Sequence, residues 1–301
     1  MKVIRSYSLV MVLVCMTLMI ASCGKSDSSS TPTAVYKVEY VPGTGMNAPT
    51  EGKSTFQLKI TKTSDGSPAS GLTPTLSFLM TMTSGDQHAT PIDIISESST
   101  TPGTYDCTVY YMMASGATMG TWEMTVTVND ETTKFNPDVA MSMKSDTVRA
   151  TLKGENDIIS STSGTEKRSY YIFNDGLTSG MSMGSGTLNL FLAAKDSMMS
   201  FPALSVSTTS LHDETGASWS ANPVTVDGSL DGTSWTTGTN TKNGHWSISL
   251  MSGITSSVTN TIYVRLSVGK NGGVAEQKTT DGNAVSGSNG YQTILVTPSS
   301  M

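Results

Sequence analysis

Apolar residues in this chain recur at every second position, in run after run. Phe56, Leu58 and Ile60 alternate with Gln57, Lys59 and Thr61. Leu76, Phe78, Met80 and Met82 continue the pattern after Thr73-Pro74. Tyr105, Cys107, Val109 and Tyr111 share a face after the turn signal Thr101-Pro102-Gly103. Trp122, Met124, Val126 and Val128 form a fourth run after Gly116 to Gly120, closed by Asn129-Asp130. Period two sends successive side chains to opposite faces, so each run reads as a strand with one buried and one wet side. Short strands punctuated by Gly, Pro, Asn and Asp predict two packed sheets. No window of helical length carries a 3.6-residue stripe. The chain should be all-β.

A second unit of the same kind starts near Lys144. Val148, Ala150 and Leu152 alternate, and Tyr170 to Phe173 make an apolar run that Asn174-Asp175-Gly176 should end. Leu188, Leu190 and Leu192 follow, then Trp246, Ile248 and Leu250 after His245. Ile262, Val264, Leu266 and Val268 give the clearest strand, and Gln292 to Val296 the last. The boundary falls within Asn136 to Asp146, giving sandwich domains at 34–140 and 141–301, each near the usual size for one core. A faint repeat joins them. Gly45-Met46 precedes the strand at Phe56 as Gly180-Met181 precedes the one at Leu188, and each half has a Gly-x-Trp or Gly-His-Trp strand start.

Before these units come a basic start (Lys2, Arg5), an apolar run from Leu9 to Ile20, and Ile20-Ala21-Ser22-Cys23. This is the layout of an export signal over 1–22, too short for a comfortable membrane span. Its end resembles the lipobox of bacterial lipoproteins, which implies a lipidated Cys23 as mature N-terminus. Gly24 after the cysteine implies sorting to the outer membrane rather than inner-membrane retention. Residues 23–33 lack apolar side chains able to join a core and should serve as a flexible Ser-rich tether. Of three cysteines, Cys15 and Cys23 lie in the signal region, so Cys107 alone keeps a free thiol and no internal disulfide is available. Stability must come from buried apolar area. Losing Lys2 and Arg5 takes the formal charge from -6 to -8. An acidic chain without a Lys/Arg cluster argues against nucleic acid as a partner.

The stretch Pro102-Gly103-Thr104-Tyr105 through Gly120-Thr121-Trp122-Glu123-Met124-Thr125-Val126 resembles the YtkA-like and FixH-like domains of exported bacterial proteins. The likeness covers about residues 50–130. It implies an immunoglobulin-like β-sandwich in an exported setting and names no reaction. The expected architecture is therefore two immunoglobulin-like β-sandwich domains after a signal peptide and flexible linker.

Methionine is the compositional outlier, with 19 residues. Pairs stand at Met80/Met82, Met112/Met113, Met141/Met143, Met181/Met183 and Met198/Met199. Thioethers are soft ligands suited to Cu(I), and Met-x-Met on a strand sends both sulfurs to one face. With His88 beyond the turn Ser84 to Gln87, Met80, Met82 and His88 are the candidate copper ligands. The competing reading is that methionine fills gaps in a core poor in Phe and Ile. Gly180-Met181-Ser182-Met183-Gly184 matches the nucleophile string of serine hydrolases, but no helix pattern follows and the motif needs a strand-to-helix turn. Asp213-Glu214 and Asp227 to Gly232 lack the spacing of a calcium loop and read as turns. Trp219, Trp235 and Trp246 would stack on a sugar only if they shared an exposed face. No phosphate loop, dinucleotide fingerprint or His-Glu-x-x-His is present.

The sequence thus predicts a non-catalytic binding or structural lipoprotein of the cell envelope. It would be held in the membrane by its lipid anchor and partnered by an envelope protein, or alternatively by copper through Met/His ligands.

Overall fold

A computed structural model describes residues 34–45, 48–143, 145–206 and 209–299. The export signal, Cys23, the tether, Met46 and Lys144 lie outside the described residues. Alternation becomes strand wherever it was expected, and no described residue is α-helical.

The first half contributes β1 (Tyr36–Pro42), β2 (Gly52–Lys62), β3 (Thr75–Met82), β4 (Gln87–His88), β5 (Ile92–Glu97), β6 (Thr104–Tyr111), β7 (Gly120–Val128) and β8 (Glu131–Phe135). They form two four-stranded sheets, ordered β1-β2-β6-β5 and β4-β3-β7-β8. In chain order these eight take the places A, B, C, C′, D, E, F and G of an immunoglobulin sandwich. The inward residues of β2, β3, β6 and β7 supply the core. Leu58, Ile60, Phe78, Met80, Tyr105, Cys107, Val109, Tyr111, Trp122, Met124 and Val126 are at most 1% exposed. Aromatic rings meet edge-on across it, as at Phe78 and Tyr111, whose centroids are 5.5 Å apart.

The second half contributes β9 (Arg149–Ser161), β10 (Gly164–Ser179), β11 (Gly186–Ala194), β12 (Ser210–His212), β13 (Ser218–Ser229), β14 (Thr236–Thr237), β15 (Thr239–Lys242) and β16 (His245–Leu250). β17 (Asn260–Lys270), β18 (Glu276–Gln277), β19 (Gln292–Val296) and β20 (Pro298–Ser299) complete it. One sheet runs β15-β16-β11-β10, with β9 and β20 both paired to β10. In the other, β13 and β17 pair centrally, flanked by β14 and β12 on one side and β19 and β18 on the other. Strands β10, β11, β13, β14, β15, β16, β17 and β19 repeat the A-to-G plan of the first sandwich in the same chain order. The segments after Gly45 and after Gly180 therefore lead into equivalent strands, β2 and β11. The two tryptophan starts do not match: Gly120 opens the F strand β7, whereas Gly244 precedes the E strand β16.

One expected strand end is displaced. Asn174-Asp175-Gly176 does not terminate the Tyr170 run; β10 continues to Ser179 through a bulge between Asn174 and Gly176. Gly176, at φ +111°, takes the conformation that the bulge requires. The segment Val224 to Trp235 is a strand and a wide turn, with the return strand beginning at Thr236.

The described residues form one compact unit. Its two sandwiches meet through the outer faces of corresponding sheets, where Tyr110, Phe173, Phe191 and Ala193 are completely covered. Tyr110 stacks on Phe191 at 4.0 Å with the rings 3° from parallel. This is why Tyr110 and Tyr111, neighbours pointing opposite ways, are both buried: one faces the partner sandwich and the other its own core.

Candidate metal centre

Met80 and Met82 both point inward from β3, as their spacing requires. Met80 is fully buried in the first core and Met82 packs partly buried against it. The thioether filler role is thus realised at Met80. β4 pairs back on β3 so that His88 lies opposite Met80, which on its other side is opposite Trp122. The turn between them is closed by Gly85 N–H donating to Met82 O at 2.9 Å. Gly120 completes this corner: it sits at φ +137°, and a Cβ there would run into the Thr81 carbonyl. Only glycine lets β7 approach β3 this closely.

The His88 ring is nine-tenths buried and stands edge-on to the Trp122 indole, 5.3 Å between centroids and 85° between planes. Its Nδ1 lies 2.9 Å from the Ala89 carbonyl oxygen. Its Nε2 lies 3.2 Å from the sulfur of Met113. Met113 follows β6 and is fixed by its own carbonyl, which accepts the Trp122 indole N–H at 3.0 Å.

A neutral imidazole carries one N–H. If Nδ1–H donates to Ala89, the Nε2 lone pair faces the lone pairs of sulfur. If Nε2–H points at sulfur, Nδ1 faces a carbonyl oxygen bare. A second proton, or a metal ion on Nε2 with Nδ1–H kept on Ala89, would satisfy both contacts. The second proton is disfavoured. Burial lowers the His88 pKa below the ordinary histidine value; the Ala89 bond opposes this, while the Arg149 and Lys195 charges add to it. What remains is a neutral nitrogen and a thioether pointing at one another beside an indole, a soft donor pair. His88 Nε2 and Met113 sulfur would be the residues to hold a soft ion here.

Of the three expected ligands, the fold brings His88 and Met80 side by side and leaves Met82 two residues further along the same face. The sulfur against Nε2 belongs to Met113, which sequence reasoning noted only as half of a Met112/Met113 pair. Nothing in local spacing linked it to His88, 25 residues earlier. The link comes from the end of β6, an inner strand of one sheet, lying across from β4 at the edge of the other.

The other sequence features take structural places. Cys107 is buried in the first core, and burial pushes its thiol up to about 12. Ser182 lies in the hairpin turn between β10 and β11, where its carbonyl accepts from Ser185 N–H and Oγ–H. No strand-to-helix turn forms there. Trp219 and Trp246 belong to the second core while Trp235 packs under Arg265, so the three share no exposed face. Asp213 and Asp231 cap turns: Asp213 accepts from Thr215 and Ala217 N–H, and Asp231 from Thr233 and Ser234 N–H. The Asp213 carboxyl is held down to about 2, chiefly by the Thr215 hydroxyl.

The second sandwich hides a buried ionic network. Arg168, with no exposed surface, donates to Asp157 and Asp196 at 2.9 and 3.1 Å and to the carbonyls of Lys195 and His212. Lys278, 2% exposed, reaches Glu276 at 3.2 Å. Each charge is met by an opposite one, which is what burial demands and needs no ligand.

No family model matches the chain, and no curated protein matches it. Solved structures with some likeness include titin fragments. A chimeric titin tandem carrying a decorin peptide is 10% identical over 81% of this chain and 95% of its own, at TM-score 0.20. A longer chimeric titin tandem carrying a fibronectin peptide is 10% identical over 83% and 92%, at 0.18. A variant three-domain titin fragment is 7% identical over 84% and 94%, also at 0.18. The immunoglobulin-like assignment rests on strand order, not on these scores.

Proposed function

We propose that this chain is a non-catalytic, lipid-anchored protein of the cell envelope that takes up Cu(I) between His88 and Met113. The contact between His88 Nε2 and Met113 sulfur at 3.2 Å, on a ring whose Nδ1 already faces the Ala89 carbonyl oxygen, carries the metal reading. A d¹⁰ ion with N/S preference supplies the missing charge, and the indole of Trp122 adds a polarisable wall. The export signal, the lipobox-like end at Cys23 and the resemblance of residues 50–130 to YtkA-like and FixH-like domains support the envelope setting. Gly24 favours the outer membrane. In this reading the acyl chains do the anchoring, each buried methylene adding about 0.8 kcal/mol.

Competition for Cu(I) against a chromogenic chelator tests the metal part. One equivalent should bind, and His88→Ala or Met113→Leu should each weaken binding at least tenfold while Met181→Leu changes nothing. Uptake unaffected by both site variants would remove the proposal. Mass spectrometry of the mature protein tests the anchor independently: a diacylated or triacylated Cys23 is expected, and an unmodified N-terminus would contradict it.

A second reading, recognition of an envelope protein, is favoured by one surface. Met181, Met183 and Met251 are 95%, 101% and 80% exposed on two loops joined by Ile254 N–H donating to Gly184 O. Adaptable thioethers at a sandwich end suit a protein partner. Photo-crosslinking from positions 181 and 183 should trap one saturable envelope partner; diffuse labelling would argue against it.

A further inference from the structure

His245 opens β16 in the second sandwich, yet its Nε2 lies 2.8 Å from Asp93 Oδ2 on β5 of the first. Its Nδ1 lies 3.4 Å from Asp175 Oδ2 at the β10 bulge. Asp175 in turn holds Lys53 of β2 at 2.6 Å, a second ion pair across the same junction. The ring is wedged edge-on to Phe191 of β11 at 5.1 Å and to Tyr110 of β6 at 6.5 Å. Asp93 and Asp175 have side chains only 5% and 9% exposed.

Both ring nitrogens thus face carboxylates, which accept hydrogen bonds and cannot donate them when ionised. A neutral ring has one N–H and must present a bare lone pair to one of the two aspartates. A charged ring donates to Asp93 and sets its second N–H toward Asp175 at ion-pair distance. It also balances the cluster, since His245 and Lys53 then offset Asp93 and Asp175. Remove the ring proton and a net negative charge is left in a nearly dry junction, where unpaired charge is costly. The remaining neighbours do not change this balance: Lys242 repels the proton from β15, and the Tyr110 hydroxyl stays protonated because burial first, then the Asp175 and Asp93 charges, raise its pKa.

The geometry points to His245 as a pH-dependent latch that clamps the two sandwiches together when protonated and loosens their junction when it deprotonates. Burial works against the charged ring, but the bonds to Asp175 and Asp93 outweigh it and raise the His245 pKa above its ordinary value. The clamp is therefore complete below about pH 6.5 and is lost as pH rises through the raised value. The Tyr110–Phe191 stack and the Arg149 guanidinium donating to Met112 O at 2.7 Å do not titrate in this range, so the junction loosens without separating.

Histidine NMR titration combined with hydrogen exchange at the Tyr110 and Phe191 amides tests this on the intact two-sandwich protein. His245 should titrate above 6.5, and Asp93→Asn and Asp175→Asn should each bring it down. Junction protection, corrected for intrinsic rates, should fall about tenfold for each unit of that elevation as pH rises. His245→Gln, uncharged at any pH, should abolish this pH dependence. A His245 titration at or below 6.5, or the same dependence in His245→Gln, would overturn the latch. If His245→Gln fails to fold, the Asp93→Asn titration decides: an unmoved His245 pKa overturns the latch and a lowered one supports it.

Discussion

The two sandwiches share one strand plan and fill it with opposite chemistry. The first packs aromatic rings and sulfur: Phe56, Phe78, Tyr105, Tyr111, Trp122, Met80 and Met124. The second packs aliphatic side chains around Trp219 and Trp246 and keeps a fully buried arginine at its margin. The contrast is sharpest at equivalent corners. In the first sandwich β3 and β4 bring together Met80 and His88. In the second, β13 and β14 pair Asp227 with Thr237 and Gly228 with Thr236, and Arg265 closes on Asp227 at 2.8 Å. The same corner thus carries soft donors in one half and a hard ion pair in the other. Strand order follows from alternation and turns, while the chemistry at a corner is free to vary, so a binding activity in one half implies none in its twin.

Core substitutions should strain that contrast most. Trp122→Ala removes the largest side chain of the first core and the clamp on Met113, and should cost about 3–5 kcal/mol in denaturant unfolding. Arg168→Ala should cost about 3–5 kcal/mol as well, for a different reason: Asp157 and Asp196 are left buried without their partner. If Arg168→Met proves far milder than Arg168→Ala, lost packing rather than lost charge is the larger part.

The two histidines should respond to pH with opposite sign. His88 has a lowered pKa, so its contribution is present above about pH 6.5 and lost as pH falls through the lowered value. His245 has a raised one, so its contribution is present below about pH 6.5 and lost as pH rises. Thermal unfolding between pH 5 and 8 should show the acid-side loss flattened in His88→Gln and the alkaline-side loss flattened in His245→Gln. Cu(I) uptake should likewise weaken on acidification, because a ligating nitrogen must be unprotonated.

Smaller effects separate filler from ligand. Met80→Leu conserves volume in the first core and should change stability by less than about 1.5 kcal/mol. If Met80 contributes a third ligand, the same substitution weakens Cu(I) binding; if it only packs, affinity stays within twofold. Native Cys107 should resist thiol reagents, its thiol being buried and held up to about 12.

Alternation made β2, β3, β6, β7, β11, β16 and β17 legible, because each has one apolar face against a core. It failed where both faces are occupied or where the inside is charged. β5 is bulged between Ile92 and Ile95, and Asp93 points into the junction instead of into water. The long hairpin of β9 and β10 conceals its period because Arg168 occupies an interior position, made tolerable by Asp157 on β9 and by Asp196 beyond β11. The candidate centre was half legible: Met80, Met82 and His88 share one short hairpin, whereas Met113 arrives from the opposite sheet. The junction was not legible at all, since Tyr110, Phe191 and His245 come together only once both sandwiches exist.

Methyl-labelled methionine NMR with one equivalent of Cu(I) puts the central claim at risk most directly. The Met113 methyl signal should shift at substoichiometric metal, together with the His88 Nε2 resonance, while Met181 and Met183 stay in place. Shifts confined to the exposed methionines, or none at Met113, would contradict a soft-metal site at this corner of the first sandwich.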